Sequence, residues 1–146
     1  MPYKIEYNDK DGGVFTTYFG VVTDSDIIAS LKERIESKKR VENYRYVISD
    51  YSGAEEFKVT TEGIKQNALI AVRASESNRK GVLVAILPRD HEYGMGRMWQ
   101  AYADDSGWKT YIARDKKEAY DWINENIPEA NIKDCLEYNK SPKILE

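Results

Sequence analysis

Val82-Leu83-Val84-Ala85-Ile86-Leu87 is the stretch of sequence that decides the fold. These apolar residues do not alternate with polar ones, and Pro88-Arg89-Asp90 ends the run. A continuous apolar run of this length predicts a central strand that other elements cover on both faces. Sheets with such strands carry helices on their faces, so the chain is expected to be an α/β protein.

The residues after this strand predict two helices and one more strand. The first helix has apolar residues at i, i+3, i+4, i+7 and i+8, which are Met95, Met98, Trp99, Tyr102 and Ala103. Residues 104–107 end this helix, and residues 108–113 form a strand. Asp115 then opens a last helix whose inward side chains are Ala119, Trp122 and Ile123.

The residues before the central strand predict a β-hairpin, two helices and a further strand. Residues 3–7 and 14–22 form the hairpin around the glycine-containing turn at 8–13. Thr23 and Asp26 resemble a capping box, and the helix that follows shares the face Ile28, Leu31 and Ile35 and ends near Lys38-Lys39-Arg40. Residues 44–49 form the strand, residues 50–53 a loop, and Thr60 or Thr61 caps the second helix, with the stripe Ile64, Ala68, Ala71 and Val72.

This order of elements predicts a mixed sheet of about five strands with about four helices. The hairpin supplies one antiparallel pair, and the strands separated by helices are joined by parallel crossovers. Residues 1–126 are expected to form one α/β domain. Residues 127–146 are expected to form a C-terminal tail, with a short helix packed on the domain as one alternative.

The composition excludes several classes of function. The chain has 22 Lys and Arg residues against 25 Asp and Glu residues, a net charge of −3, so no nucleic-acid partner is expected. Cys135 is the one cysteine, which excludes an intramolecular disulfide and a cysteine-rich zinc site. No integral membrane segment and no signal peptide are recognisable, so the cytoplasm is the expected location. No cofactor and no metal are expected, because Gly94-Met95-Gly96 lacks the third glycine of a dinucleotide motif and no paired-histidine spacing occurs.

Three segments downstream of the central strand resemble a known family. They are Gly94-Met95-Gly96-Arg97-Met98, Gly107-Trp108, and Asp115 with residues 118–123. A Gly-x-x-Arg-Met helix, a Gly-Trp strand and an Asp-x-x-x-Ala-x-x-Trp helix are common in the SpoIIAA-like family. That family has the STAS-like fold of bacterial anti-sigma-factor antagonists and is structurally related to Sec14-type domains. The resemblance covers residues 3–126 and implies a non-enzymatic module that binds a protein partner or a small apolar ligand.

The resemblance also implies an alternative function, which is signalling regulated by phosphorylation. Anti-sigma-factor antagonists carry a phosphorylatable serine at the start of the second helix, in the pattern Asp-x-Ser-Gly followed by Asp-Ser-Ser-Gly. Asp50-Tyr51-Ser52-Gly53 matches the first part of this pattern. In the second part the aspartate is missing, and Thr61, or otherwise Thr60, falls near the phosphorylation site.

Candidate binding residues follow from the rule that ligands bind at the carboxyl ends of parallel strands. The loops expected there are residues 50–59, 88–94 and 114–115. With the apolar stripe of the third predicted helix, which forms either core or a cover over a cleft, the candidates are Asp50, Tyr51, Ser52, Arg89, His91, Tyr93, Arg97, Met98, Trp99 and Tyr102.

Other interpretations of these residues stay open in the sequence. No catalytic residue is assigned, although a hydrolase-like enzyme could use His91 with Ser52 and a carboxylate such as Asp50 or Glu92. Otherwise His91 or Asp90 caps the third predicted helix, and Arg97 either binds an anion or pairs with Asp90 or Glu92. The eleven tyrosines and three tryptophans also suggest an oligomer interface, and a homodimer is the corresponding expectation.

Overall fold

The computed structural model describes residues 2–78, 80–104 and 107–127 of the chain. Within them, five strands form one sheet in the order β1-β2-β3-β4-β5, with bounds Tyr3–Asn8 (β1), Gly13–Thr23 (β2), Tyr46–Lys58 (β3), Val82–Ile86 (β4) and Lys109–Ala113 (β5). β1 and β2 are antiparallel, and every other neighbouring pair is parallel. The predicted α/β class and mixed sheet are confirmed.

Helices connect the parallel strands and follow the last one. Their bounds are Asp24–Ile35 (α1), Lys38–Glu42 (α2), Thr61–Ala74 (α3), Asp90–Tyr102 (α4) and Lys116–Asn126 (α5). Thr23 caps α1 with the reciprocal hydrogen bonds of a capping box to Asp26, as its sequence predicts. Asp115 caps α5 by accepting a hydrogen bond from the Glu118 amide. The predicted C-terminal tail lies outside the described residues from position 128 onward.

The two faces of the sheet pack against different helices. In β4, Val82, Val84 and Ile86 lie on one face and join the α5 side chains in an apolar cluster. Leu83 and Ala85 point to the opposite face, as the alternation of a strand requires. That second face is covered by α1, α3 and α4, and it contains most of the buried polar groups of the fold.

α3 makes its principal packing contacts with other helices. It lies against α1 on one side and α4 on the other, and both of these helices contact neighbouring strands. Its buried residues include Ile64, Asn67 and Ala68. Because α3 packs mainly against α1 and α4 and not against the strands, a cavity remains between α3 and the sheet.

The predicted loop at residues 50–53 is wrong, because β3 continues through it to Lys58. Residues beyond Gly53 pair in parallel with the second half of β2, from Phe19 to Thr23. Asp50-Tyr51-Ser52-Gly53 has the composition of a turn, but it forms an irregular part of the strand. Asp50 pairs with Thr17 and Gly53 with Phe19, so that two residues of β3 lie opposite one residue of β2. Asp50 therefore lies within a strand, opposite Ile86 at the end of β4.

The predicted face and end of the first helix also need correction. The residues that α1 buries are Ile27, Ser30, Leu31 and Arg34, whereas Ile28 and Ile35 are half-buried. Lys38-Lys39-Arg40 does not end this helix but opens the separate short helix α2, which Ser37 caps. Ser37 ends the first helix early because its side chain accepts a hydrogen bond from the Arg40 amide.

Candidate functional site

Charged side chains at the carboxyl edge of the sheet form ion pairs with one another. Arg89 donates to both carboxylate oxygens of the buried Glu92 and to the carbonyl oxygen of Ala54, at 2.6 Å. Arg114 donates to Asp90 at 2.7 Å, and its guanidinium lies 3.9 Å from the centre of the Tyr93 ring. The expected pairing of Arg97 with Asp90 or Glu92 is therefore wrong, because other arginines occupy both carboxylates.

The residues proposed for hydrolase chemistry are not joined into a catalytic set. Asp50 accepts hydrogen bonds from the Ser52 amide at 2.9 Å and from the Ser52 hydroxyl at 2.5 Å. His91 is exposed on the first turn of α4, and no hydrogen bond joins it to Ser52 or Asp50 within the described residues. The N-cap of α4 is Arg89, so the expectation that His91 or Asp90 caps this helix is also wrong.

The two threonines at the start of α3 have different surroundings. Thr60 is the N-cap: its hydroxyl accepts from the Gly63 amide at 3.0 Å and donates to Asp24 at 2.6 Å. Its amide also donates to Asp24, so α1 and α3 are joined at their N-terminal ends. Thr61 follows as the first residue of α3, and its side chain is exposed.

The clearest concave site is the cavity between the sheet and helices α1, α3 and α4. The space open to the centres of water-sized molecules is about 60 Å³ in its larger lobe and about 30 Å³ in the smaller one. Both lobes share Leu31, Arg34, Ala71, Leu83 and Trp99. The rest of the larger lobe is mostly apolar and is lined by Ile27, Ser49, Tyr51, Phe57, Ile64, Asn67, Ala85, Leu87, Gly96 and Ile112.

The cavity brings together two of the residues that the sequence selects. Tyr51 of β3 and Trp99 of α4 both line it, and the Trp99 indole nitrogen donates to the Asn67 side chain at 2.6 Å. Met98 is half-buried and Tyr102 is exposed, and neither is among the lining residues. The stripe on α4 is thus neither all core nor all cavity wall.

Glycines on α4 determine how closely the helix approaches the sheet. A Cβ atom at Gly96 would lie 2.5 Å from Cδ1 of Leu87 and 3.1 Å from Cγ2 of Ile112. A Cβ atom at Gly94 would meet no atom within 4 Å. Gly96 therefore permits the close packing of α4 on the sheet, whereas Gly94 is not required for it.

Arg34 is the residue of the cavity that sequence reasoning missed. Its Nη1 donates to the Thr16 hydroxyl at 3.0 Å and to the Tyr18 hydroxyl at 3.3 Å, and the residue is only 6% exposed. The Tyr18 ring stacks on the Tyr51 ring, with centres 4.2 Å apart. A signal was present in the sequence, because Arg34 lies at i+7 from Ile27 and thus on the same helical face.

The tyrosines near Arg34 are neutral at ordinary pH. Burial, followed by the neighbouring Tyr18, raises the pKa of Tyr51 well above its usual value. Burial also raises the pKa of Tyr44, whose hydroxyl donates to the Arg34 carbonyl oxygen at 2.5 Å. Tyr44 and Tyr51 therefore supply no negative charge next to Arg34.

The surplus of aromatic residues is largely accounted for by the core. Six tyrosines are buried, namely Tyr3, Tyr18, Tyr44, Tyr46, Tyr51 and Tyr120. The aromatic count therefore does not point to an interface, and the homodimer stays a prediction.

Within the described residues, no group of three or more metal-ligating side chains is close enough to hold a metal ion. No helix in the same residues is long and apolar enough to span a membrane.

Comparison with known proteins supports the fold. The structure is similar to that of the anti-sigma factor antagonist SpoIIAA in its unphosphorylated form, with a TM-score of 0.54 and 14% sequence identity. The match covers 84% of this chain and 97% of SpoIIAA. This chain has the SpoIIAA-like, STAS-type fold. No protein-family model and no curated protein matches the sequence.

Proposed function

We propose that this protein is a non-enzymatic binding module that takes a small apolar ligand into the cavity beneath α3. The observation that carries the proposal is the mostly apolar lining of a cavity between the sheet and three helices. Ligand sites are commonly such concave apolar spaces with a few polar groups. Here the polar groups are Arg34, Ser49 and Asn67.

The position of α3 supports this function. The helix contributes Ile64, Asn67 and Ala71 to the cavity wall, and it packs against α1 and α4. A small outward shift of α3 would enlarge the cavity without breaking the hydrogen bonds of the sheet. A water molecule needs roughly 10–15 Å³ of such space, so the closed cavity suits a few waters or part of a small ligand.

The separation of Ser52 from His91 favours binding over chemistry at these residues. Ser52 is hydrogen-bonded to Asp50 at the carboxyl edge of the sheet, whereas His91 is exposed on α4. Neither residue lines the cavity. A ligand bound beneath α3 would therefore meet neither of the residues proposed for hydrolysis.

Native mass spectrometry of protein purified from its own host tests the proposal. A bound small molecule should appear as an added mass that organic solvent removes. The variant Ala71→Leu should lose this mass, because Ala71 lines both lobes and the larger side chain would occupy space that the ligand needs. Ala29→Leu, on the exposed side of α1, is the matched control and should keep it. If the wild type carries no ligand and binds none in a screen of small apolar compounds, the proposal fails.

We also propose a second candidate function, phosphorylation-regulated binding of a protein partner through Thr61. The observation in its favour is the exposed Thr61 hydroxyl at the first position of α3. Phosphate groups are favoured at helix N-termini, where free amides and the helix dipole stabilise negative charge. Thr60 is a poorer acceptor of phosphate, because its hydroxyl is bonded to the Asp24 carboxylate, which would repel a phosphate group.

Tandem mass spectrometry of the protein isolated from its host tests this candidate. A phosphopeptide with the modification on Thr61 is expected, and Thr61→Ala should abolish it. Thr60→Ser retains a capping hydroxyl and is the matched control, so it should leave the modification in place. Equal phosphorylation of the wild type and Thr61→Ala would rule out Thr61 as the site.

A further inference from the structure

The buried guanidinium of Arg34 has hydrogen-bonding capacity that the described protein residues do not use. Both of its hydrogen bonds, to Thr16 and Tyr18, leave from Nη1. The N–H groups of Nε and Nη2 have no hydrogen-bond partner among residues 2–78, 80–104 and 107–127. No fully buried polar side-chain atom in this part of the chain lacks a partner, so these N–H groups reach open space. Arg34 lines both lobes of the cavity, and it also borders a surface pocket beside Glu33 and Glu36.

Within the described residues, no carboxylate compensates the positive charge of Arg34. No carboxylate of the described residues lies within ion-pair distance of its guanidinium. The groups that contact it are the hydroxyls of Thr16 and Tyr18, and burial raises the pKa of the nearby Tyr51 well above its usual value. Buried charges in proteins are ordinarily paired, because removing an ion from water without a partner is costly. An anion from outside the described residues would remove this cost.

We propose that the cavity ligand is a small acid whose carboxylate is bound by Arg34 and whose apolar body fills the rest of the cavity. The inference rests on the function proposed above and adds the chemical class of the ligand. A guanidinium with two free N–H groups on one edge matches the two oxygens of a carboxylate. The apolar body would contact Leu31, Leu83 and Trp99, which line both lobes.

The same residues argue against other classes of ligand. A cation would be repelled by Arg34, and a neutral apolar molecule would leave the guanidinium unpaired. A large polyanion has no complementary surface here, because the cavity is small and the remaining lining is mostly apolar. The Asn67 side chain, held by Trp99, offers one further polar contact within the larger lobe.

Titration of the full-length, ¹⁵N-labelled protein with matched acids and alcohols tests the inference. The compounds are the straight-chain acids from butanoate to octanoate and the primary alcohols of equal length. Binding is followed by the NMR signals of the Trp99 indole N–H and the backbone amides around the cavity. The best acid should bind about tenfold tighter than its alcohol, because a buried charge-assisted pair adds to the shared apolar contact. Lowering the pH below the pKa of the ligand carboxyl group should remove this preference.

Variants of Arg34 identify the residue responsible. Arg34→Met keeps the length of the side chain without its charge, so the acid should lose its advantage and the alcohol should bind as well as before. Arg34→Lys should retain part of the preference, because a lysine keeps the charge but not the paired N–H geometry. Arg73→Met, at an exposed position of α3, is the matched control and should bind like the wild type.

The possible outcomes separate the inference from the function on which it rests. Equal binding of acids and alcohols by the wild type would overturn the role of Arg34 and leave the binding module intact. The same conclusion would follow if Arg34→Met kept the full preference for acids. Failure of every acid and every alcohol to bind would overturn both proposals. The wild-type comparison and its pH dependence remain decisive even if Arg34→Met does not fold.

Discussion

The two faces of the sheet are filled by different kinds of side chain. On the α5 face, the apolar cluster contains Val84, Ala113, Ala119 and Ile123, each with no exposed surface. On the opposite face, α1, α3 and α4 enclose a cavity next to buried polar groups that include Arg34 and Asn67. Closely packed apolar contacts stabilise a fold, whereas cavities and uncompensated charges reduce its stability. The α5 face therefore contributes the better-packed part of the core, and the opposite face contains the cavity to which we assign ligand binding.

Truncation of isoleucines on the two faces should give the largest effect. Ile123→Ala removes a fully buried side chain from the α5 cluster and should lower the free energy of unfolding by about 4 kcal/mol. Ile64→Ala, on α3, should cost only about 2 kcal/mol, because Ile64 already borders the cavity and has fewer contacts to lose. Urea denaturation measures both values. Equal losses would mean that the two faces are packed equally well.

Enlargement of alanines should change stability in opposite directions on the two faces. Ala119→Leu overfills the α5 cluster, where Ala119 has no exposed surface, and should destabilise the protein by about 2 kcal/mol. Ala71→Leu extends into the cavity and should stabilise the ligand-free protein by about 1 kcal/mol. Thermal unfolding followed by circular dichroism compares the two variants. A lower melting temperature for Ala71→Leu would show that α3 cannot accommodate the added volume.

A pair of glycine variants tests how closely α4 packs against Leu87 and Ile112 at the edge of the cavity. Gly96→Ala places a methyl group against Leu87 and Ile112, and it should destabilise the protein by about 1–2 kcal/mol. Gly94→Ala meets no neighbouring atom and should stabilise α4 by about 0.5–1 kcal/mol, since alanine favours helices more than glycine does. Chemical denaturation of both variants provides the measurement. If both variants are stabilised, α4 packs more loosely than its contacts with Leu87 and Ile112 imply.

The α5 face is the better predicted of the two. The run 82–87 predicts β4 because a short, uninterrupted apolar sequence is typical of a strand that is buried on both faces. Ala119 and Ile123 follow from helical spacing and the capping Asp115. These features depend on neighbouring residues in the sequence, and local patterns are what sequence reasoning can read.

The cavity face depends on long-range contacts that no local pattern contains. Residues 50–53 look like a turn, and only their pairing with β2 makes them a strand. Arg34 looks like a solvent-facing cation of an amphipathic helix, because arginine is seldom buried. Its burial depends on the hydroxyls of Thr16 and Tyr18 of β2, which accept hydrogen bonds from its guanidinium. The sequence predicts Tyr51 and Trp99 as candidate binding residues but not Arg34, which lines the same cavity.

The smallest predicted effect concerns a polar contact on the α5 face. Tyr111 stacks on Trp122, with ring centres 5.1 Å apart, and its hydroxyl donates to Glu118 at 2.6 Å. This hydrogen bond, and then burial, raise the pKa of Tyr111 to about 12. A tyrosine of the unfolded chain titrates near pH ~10. The contribution of Tyr111 to stability is therefore fully present below about pH 10 and is lost as the pH rises toward about 12.

Tyr111→Phe should make the free energy of unfolding less dependent on pH in that window. Urea denaturation at intervals from about pH 9 to about pH 12 provides the measurement, and the difference from the wild type cancels the titration of the lysines. Tyr102→Phe, at an exposed tyrosine of α4, is the matched control and should follow the wild-type curve. If Tyr111→Phe also follows that curve, the hydroxyl contributes nothing to folding. Polar contacts would then contribute less to the α5 face, and its contrast with the cavity face would be sharper.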